Sequence, residues 1–179
     1  MGLIYSWLNP KLEVRNTKGG TCRGVFARVP LKTGEKLAIF GGKVIRVFEE
    51  IGDYGIQIDE EFVMGGTSMK LQTIEDTDYF NHSCNPNAGI KGQILIVAMR
   101  DIEPDEEIVF DYAMCLHPIV GRKYEFECHC GSQNCRKRIT TNDWKLEELQ
   151  KRYDGFFSWY LQNKIDKLKV SGGSKRDEK

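Results

Sequence analysis

The sequence lacks net charge: 26 Lys and Arg balance 26 Asp and Glu over 179 residues. That balance leaves no overall field to draw the chain onto nucleic acid or a membrane surface. No apolar run approaches the ~18 residues that a spanning helix needs, which argues against a membrane partner. The opening MGLIYSWLNP lacks the basic and long apolar regions of a secretory leader. It does match the myristoylation pattern through Gly2 and Ser6. There is no internal repeat and no low-complexity block, so repeat architectures are set aside. With no export signal, the six cysteines are expected as reduced thiols, in a cytoplasmic or nuclear setting rather than a disulfide framework.

What is present is enough for one ordinary domain with a short appendage. Hydrophobic residues make up 40% and charged residues 29%, the balance of a chain that buries a core. Short β-branched and aromatic runs at 24–29, 43–48, 56–58, 62–64, 93–99 and 108–112 read as strands. Gly and Pro punctuate them. The C-terminal part reads differently. Asn142 or Asp143 is placed to cap a helix through WKLEELQKRY, and Asp154-Gly155 ends it. A second helix sets Phe157, Leu161, Ile165 and Leu168 on one face, as packing against the β body requires. The final SGGSKRDEK has the composition of a disordered tail. The fold class is therefore β-rich α+β with C-terminal helices.

Three of the six cysteines fall in Cys128-His129-Cys130-Gly131-Ser132-Gln133-Asn134-Cys135, a C-x-C-x4-C arrangement. Structural zinc takes four tetrahedral ligands, so three local thiols call for a distant fourth. Cys84, in the compact polar turn NHSCNPN, is the leading candidate. His129 is the rival, with a geometry strained by ligands on both sides. Cys22 and Cys115 remain as ordinary reduced residues. Two acidic stretches, 49–61 and 101–107, carry six and five acids with no base. Either they are solvated loops, or they rim a site that attracts a basic peptide.

NHSCNPN at 81–87, EEIVFDY at 106–112 and CHCGSQNCR at 128–136 resemble, in that order, the signature blocks of SET-domain protein lysine methyltransferases with a post-SET zinc segment. Residues 23–27, 40–45 and 54–59 resemble upstream blocks of the same family, so the likeness covers about 12–138. It implies small curved β-sheets with a pseudoknot, a SET domain over 12–115 and a post-SET segment over 124–138. A helical extension over 142–169 and a tail over 170–179 complete the division. It also implies methyl transfer from S-adenosylmethionine to a lysine of a basic protein, histone-like or ribosomal, with zinc held by Cys84, Cys128, Cys130 and Cys135. By the same resemblance Tyr112 is the catalytic tyrosine. Phe40 and Phe110 line the lysine channel, Phe110 leaving room for di- or trimethylation. Cys22, Arg23, Gly24, Tyr54, Asn81 and His82 meet the donor. Two departures stand out: Cys22 replaces the first glycine of a G-x-G, and Asp78 stands where many relatives carry Arg. A fold retained as a non-catalytic, zinc-stabilised binding module is the alternative. A zinc-dependent nucleic-acid binder fits poorly, since the basic cluster Arg136-Lys137-Arg138 is short.

Overall fold

A computed structural model describes residues 5–17, 20, 22–47, 55–65, 74–119 and 124–173. Gly2 and Tyr54 lie outside the described residues, as do residues 48–53 of and beside the first acidic stretch. The strands in chain order are Trp7–Leu8 (β1), Leu12–Asn16 (β2), Arg23–Ala27 (β3), Lys36–Ile39 (β4) and Lys43–Arg46 (β5). Ile56–Gln57 (β6), Phe62–Gly65 (β7), Asn81–His82 (β8) and Ala88–Lys91 (β9) follow. Leu95–Ala98 (β10), Glu107–Phe110 (β11), Glu125–Glu127 (β12) and Arg138–Thr140 (β13) complete the set.

They form four small sheets, ordered β1-β4-β10-β9, β2-β3-β11-β8, β5-β7-β6 and β12-β13. Among the described residues all pairings are antiparallel except β8 with β11, where Val109 faces Asn81 and Phe110 faces His82. β11 shows why its residues make a strand. Ile108 and Phe110 are buried while Glu107 and Val109 are half-buried, the period of two expected of a sheet with one inner face. β3 is central, and Val25, Phe26 and Ala27 are all buried. The core joins these strands to Leu37, Ile90, Ile96 and Ile102.

The loop after β8 is laced to β11. Ser83 N–H donates to the Phe110 carbonyl and Asn87 N–H to that of Val109. Asn87, 1% exposed, uses its side chain as a substitute strand. Its Nδ2 donates to the Glu107 carbonyl and its Oδ1 accepts from Val109 N–H. The parallel register and these bonds hold residues 81–87 against the segment that ends in Asp111-Tyr112.

Of the two C-terminal helices that the sequence suggests, the first departs from the expected capped form. A 3-10 turn covers Asp143–Lys145, and α1 is only Glu147–Arg152. The Asp143 carboxylate accepts from Arg136 Nε at 2.9 Å and Thr140 Oγ1 at 2.6 Å, so it is not available as a helix cap. Gly155, at φ +73°, makes the turn that follows. The second helix, α2, runs Trp159–Gly173, past the boundary expected at 169. Its first amides are anchored on the β body: Ser158 N–H donates to the Met114 carbonyl, Trp159 N–H to that of Gly92 and Tyr160 N–H to Gln93 Oε1. Phe157, Leu161 and Ile165 are buried as expected, but Leu168 is 48% exposed, because the core no longer lies under the last turns. Among the described residues no helix is long and apolar enough to cross a membrane.

Leu161→Ala is expected to cost about 2–5 kcal/mol in chemical denaturation. Leu168→Ala should stay within about 0.5 kcal/mol. Equal losses at the two positions would contradict this packing.

Candidate active site and metal centre

The cysteine corner is built by two elements. The turn after β8 carries Cys84, and the loop between β12 and β13 carries Cys128, Cys130 and Cys135. Antiparallel pairing of Glu125–Glu127 with Arg138–Thr140 closes that loop. The four thiol sulfurs all lie within 4.8 Å of one another, and Cys84 Sγ and Cys128 Sγ are 3.9 Å apart. A tetrahedral zinc with ~2.3 Å bonds to sulfur sets its ligands ~3.8 Å apart, so this donor set fits such an ion. His129 points elsewhere: its ring is 78% exposed and lies 3.7 Å from Glu127. The surroundings treat the thiols unequally. Burial pushes Cys84 up to about 11 and Cys128 up to about 12. Burial also acts against ionising Cys130, but hydrogen bonds from the Ser132 hydroxyl and nearby groups outweigh it and bring that thiol down to about 6. Arg136 N–H donates to Cys84 Sγ at 3.4 Å. Of the remaining cysteines, Cys115 is buried and Cys22 exposed.

His82 stands between this corner and Tyr112. Its Nδ1 accepts from Tyr112 N–H at 3.2 Å, so the proton sits on Nε2, 3.3 Å from Cys84 Sγ. Burial, only partly offset by Asp111, lowers its pKa to about 4. A neutral imidazole with both nitrogens engaged is a brace, and it is not placed to act as a general base. Tyr112 N–H, Cys84 and the β8 strand are thereby tied by one ring.

Tyr112 opens a short 3-10 turn directly after β11. Its hydroxyl donates to the Phe80 carbonyl at 3.0 Å. Its ring centroid is 5.1 Å from that of Phe110, 5.2 Å from that of His82 and 6.0 Å from that of Phe126. Phe40 closes the group at 6.4 Å from Phe110 and 6.1 Å from Phe80. The expected pair Phe40 and Phe110 is thus together with Tyr112. Phe80 and Phe126 join them unforeseen, although Phe126 lies two residues after Tyr124, in the strand that leads into the cysteines.

Arg23, Gly24 and Asn81 also meet. Asn81 Nδ2 donates to the Arg23 carbonyl at 2.9 Å and to Glu107 Oε1 at 2.7 Å. A Cβ on Gly24 would stand 2.4 Å from Glu107 Oε1, so only glycine allows that approach. The Arg23 guanidinium lies 4.4 Å over the Tyr79 ring and bonds its hydroxyl at 3.0 Å. Asp78 caps the 3-10 turn Asp76–Tyr79, accepting from Glu75 N–H at 2.9 Å. Burial raises its pKa, countered in part by that bond.

The residue that sequence reading passed over is Asp111. It is fully buried and takes two hydrogen bonds from Arg136, Nη1 at 2.6 Å and Nη2 at 2.8 Å. Tyr153 Oη donates to the same carboxylate at 3.0 Å and Ala113 N–H at 3.0 Å. One carboxylate therefore joins the Tyr112 turn, the cysteine loop and the C-terminal extension. The signal was available: an acid directly after the apolar run Ile108–Phe110 needs a buried partner, and Arg136 follows Cys135.

Three of the five acids in the second acidic stretch face the protein's own cations, while Asp101 and Asp105 stay 52% and 78% exposed. Asp101 pairs with Lys32 and Asp105 with Arg15, while Glu106 holds Arg100 and Glu107 holds Asn81.

Comparison with known proteins places this arrangement. The family model described as SET domain matches residues 22–113. Histone-lysine N-methyltransferase TRX1 of Oryza sativa subsp. japonica is 31% identical over 144 residues, which is 69% of this chain and 13% of the rice protein. Histone H3-lysine(4) N-trimethyltransferase ATX1 of Arabidopsis thaliana is 28% identical over 145 residues, 70% of this chain and 13% of the relative. The chain thus spans only a small part of these relatives' length. A crystal structure of KRYPTONITE with mCHG DNA and SAH superposes with a TM-score of 0.57 at 28% identity, covering 73% of this chain and 29% of that one.

Arg136→Met strands the Asp111 carboxylate. It is expected to cost about 3–5 kcal/mol in chemical denaturation. A loss below about 1 kcal/mol would remove the pair from this account.

Proposed function

This chain belongs to the SET-domain family, and from that premise we propose that it is an S-adenosylmethionine-dependent protein-lysine N-methyltransferase acting on a basic, histone-like protein. The observation that carries the reading is the aromatic group Phe40, Phe80, Phe110, Tyr112 and Phe126, next in the fold to the Arg23–Gly24–Asn81 corner. S-adenosylmethionine supplies an electrophilic methyl group on a sulfonium. The resemblance of Arg23, Gly24 and Asn81 to a donor loop, and the SAH in the KRYPTONITE complex, support assigning the donor to that corner.

The chain's own residues then have three tasks. A free lysine has a pKa near ~10.4, so only about one in a few thousand is neutral at pH 7. Aromatic walls lower the dielectric around the amine, and the sulfonium's like charge adds to that effect. Both favour loss of the proton without a dedicated base, which agrees with His82 being a neutral brace. The faces of Phe40, Phe110 and Phe126 suit an aliphatic stem with a cationic tip and hold it straight. Tyr112 commits its hydroxyl proton to the Phe80 carbonyl. Its oxygen is then an acceptor for an N–H of the amine or the polarised methyl. Positioning supplies most of the rate.

Zinc is the metal we assign to Cys84, Cys128, Cys130 and Cys135, on the fit of four thiols to its tetrahedral geometry. It would contribute folding energy and leave the chemistry to the aromatic group. Phe110 carries no hydroxyl to hold the amine after the first transfer, and this supports di- or trimethylation. The likeness to a relative described as a trimethyltransferase points the same way. We place the activity in a reducing compartment, cytoplasmic or nuclear.

Incubated with S-adenosylmethionine and core histones, the wild type should yield di- and trimethyl-lysine by mass spectrometry. Phe110→Tyr should shift the product to monomethyl-lysine. Tyr112→Phe should lower turnover by roughly 10²-fold or more, with donor affinity kept. Undiminished turnover in Tyr112→Phe, or only monomethyl product from wild type, would contradict these assignments.

A further inference from the structure

Asn81 is half-buried and its side-chain amide has a forced orientation. Both groups it faces, the Arg23 carbonyl and the Glu107 carboxylate, are acceptors only. The amide must turn its NH2 to them, and each of its two hydrogens is then spent. What remains is Oδ1, which takes no partner among the described residues. An amide oxygen offers no hydrogen to a carboxylate, but it does accept from an ammonium. Glu107 also adds a negative charge within hydrogen-bond distance of the amide, which favours a cation nearby.

We propose that Glu107 is a positioning residue that locks the Asn81 amide so that its oxygen meets the ammonium of the donor's amino-acid end. This rests on the methyltransferase reading and its assignment of the donor to this corner. Glu107 acts through Asn81. Its side chain lies across Gly24, in the space where any Cβ would collide with Oε1 at 2.4 Å and with Asn81 Nδ2 at 3.0 Å. Gly24 thus does more than permit a close backbone: it leaves room for the carboxylate that sets Asn81. With Glu107 removed, the amide loses one of its two constraints. It can then rotate, and an NH2 turned outward repels an ammonium.

The test measures calorimetric affinities for two ligands. One is S-adenosylhomocysteine; the other is the same thioether with its α-amino group replaced by hydrogen. Wild type should prefer the amine-bearing ligand by at least roughly tenfold, the scale of a hydrogen bond to a charged group. Glu107→Ala should narrow that preference to within about threefold. Glu107→Gln keeps an acceptor for Asn81 and should restore most of it. Gly24→Ala displaces the same oxygen with the carboxylate still present, and should narrow the preference by a second route if the alanine at 107 fails to fold. A merely structural Glu107 would weaken both ligands in equal proportion and leave the ratio unmoved, which overturns the proposal. So does a wild type that binds the two ligands equally. A wild type that binds neither takes away the methyl-transfer reading itself, and this inference with it.

Discussion

Four thiols from two parts of the chain, 44 residues apart at Cys84 and Cys128, converge on one corner, and the rest of the site is arranged around that convergence. Burial keeps two of them strongly protonated when no metal is bound. Without a metal, such a cluster has little cohesion of its own. A cation that binds the thiolates supplies on the order of 10 kcal/mol at such sites. That scale matches or exceeds the whole stability of an ordinary domain. With such an ion bound, the corner would couple the folding of residues 124–140 to the placement of the NHSC turn.

The buried contacts beside it carry that decision to the aromatic group. His82 spans Cys84 and the Tyr112 amide, and Asp111 grips Arg136 one residue from Cys135. Tyr153 adds the C-terminal extension to the same carboxylate. A charge pair as buried as Asp111–Arg136 gains little net stability over an apolar pair, but removing one partner is costly. Its value here is positional: it admits one geometry of the strand end that presents Tyr112. The extension over α1 and α2 belongs to this structure as well. Leu149, Tyr153, Phe157, Leu161 and Ile165 share the core with the strands.

Much of this was legible in the sequence, for identifiable reasons. Strand runs such as Ile108–Phe110 are marked by β-branched and aromatic residues, and the C-x-C-x4-C spacing counts its own missing ligand. The three ordered blocks and the upstream ones at 23–27 and 40–45 pointed to Tyr112, Phe40, Phe110, Arg23, Gly24 and Asn81 as one region. What escaped was set by contacts distant in sequence. The two-residue strands β1 and β8 have too few residues to show a period. Asn87 acts as a strand substitute, and nothing local marks it. Asp143 reads as a helix cap until Arg136 and Thr140 take its carboxylate. The acidic run 101–107 leaves solvated loop and rim both open, and its pairing with Lys32, Arg15 and Arg100 shows only in the fold. In each case the residue's chemistry was visible and its partner was not.

X-ray absorption at the zinc edge of the purified chain tests the central claim most directly. The account predicts one zinc per chain with four sulfur neighbours at about 2.3 Å and no nitrogen in the shell. A chain that folds with no bound metal, or a shell that includes an imidazole nitrogen, would contradict it.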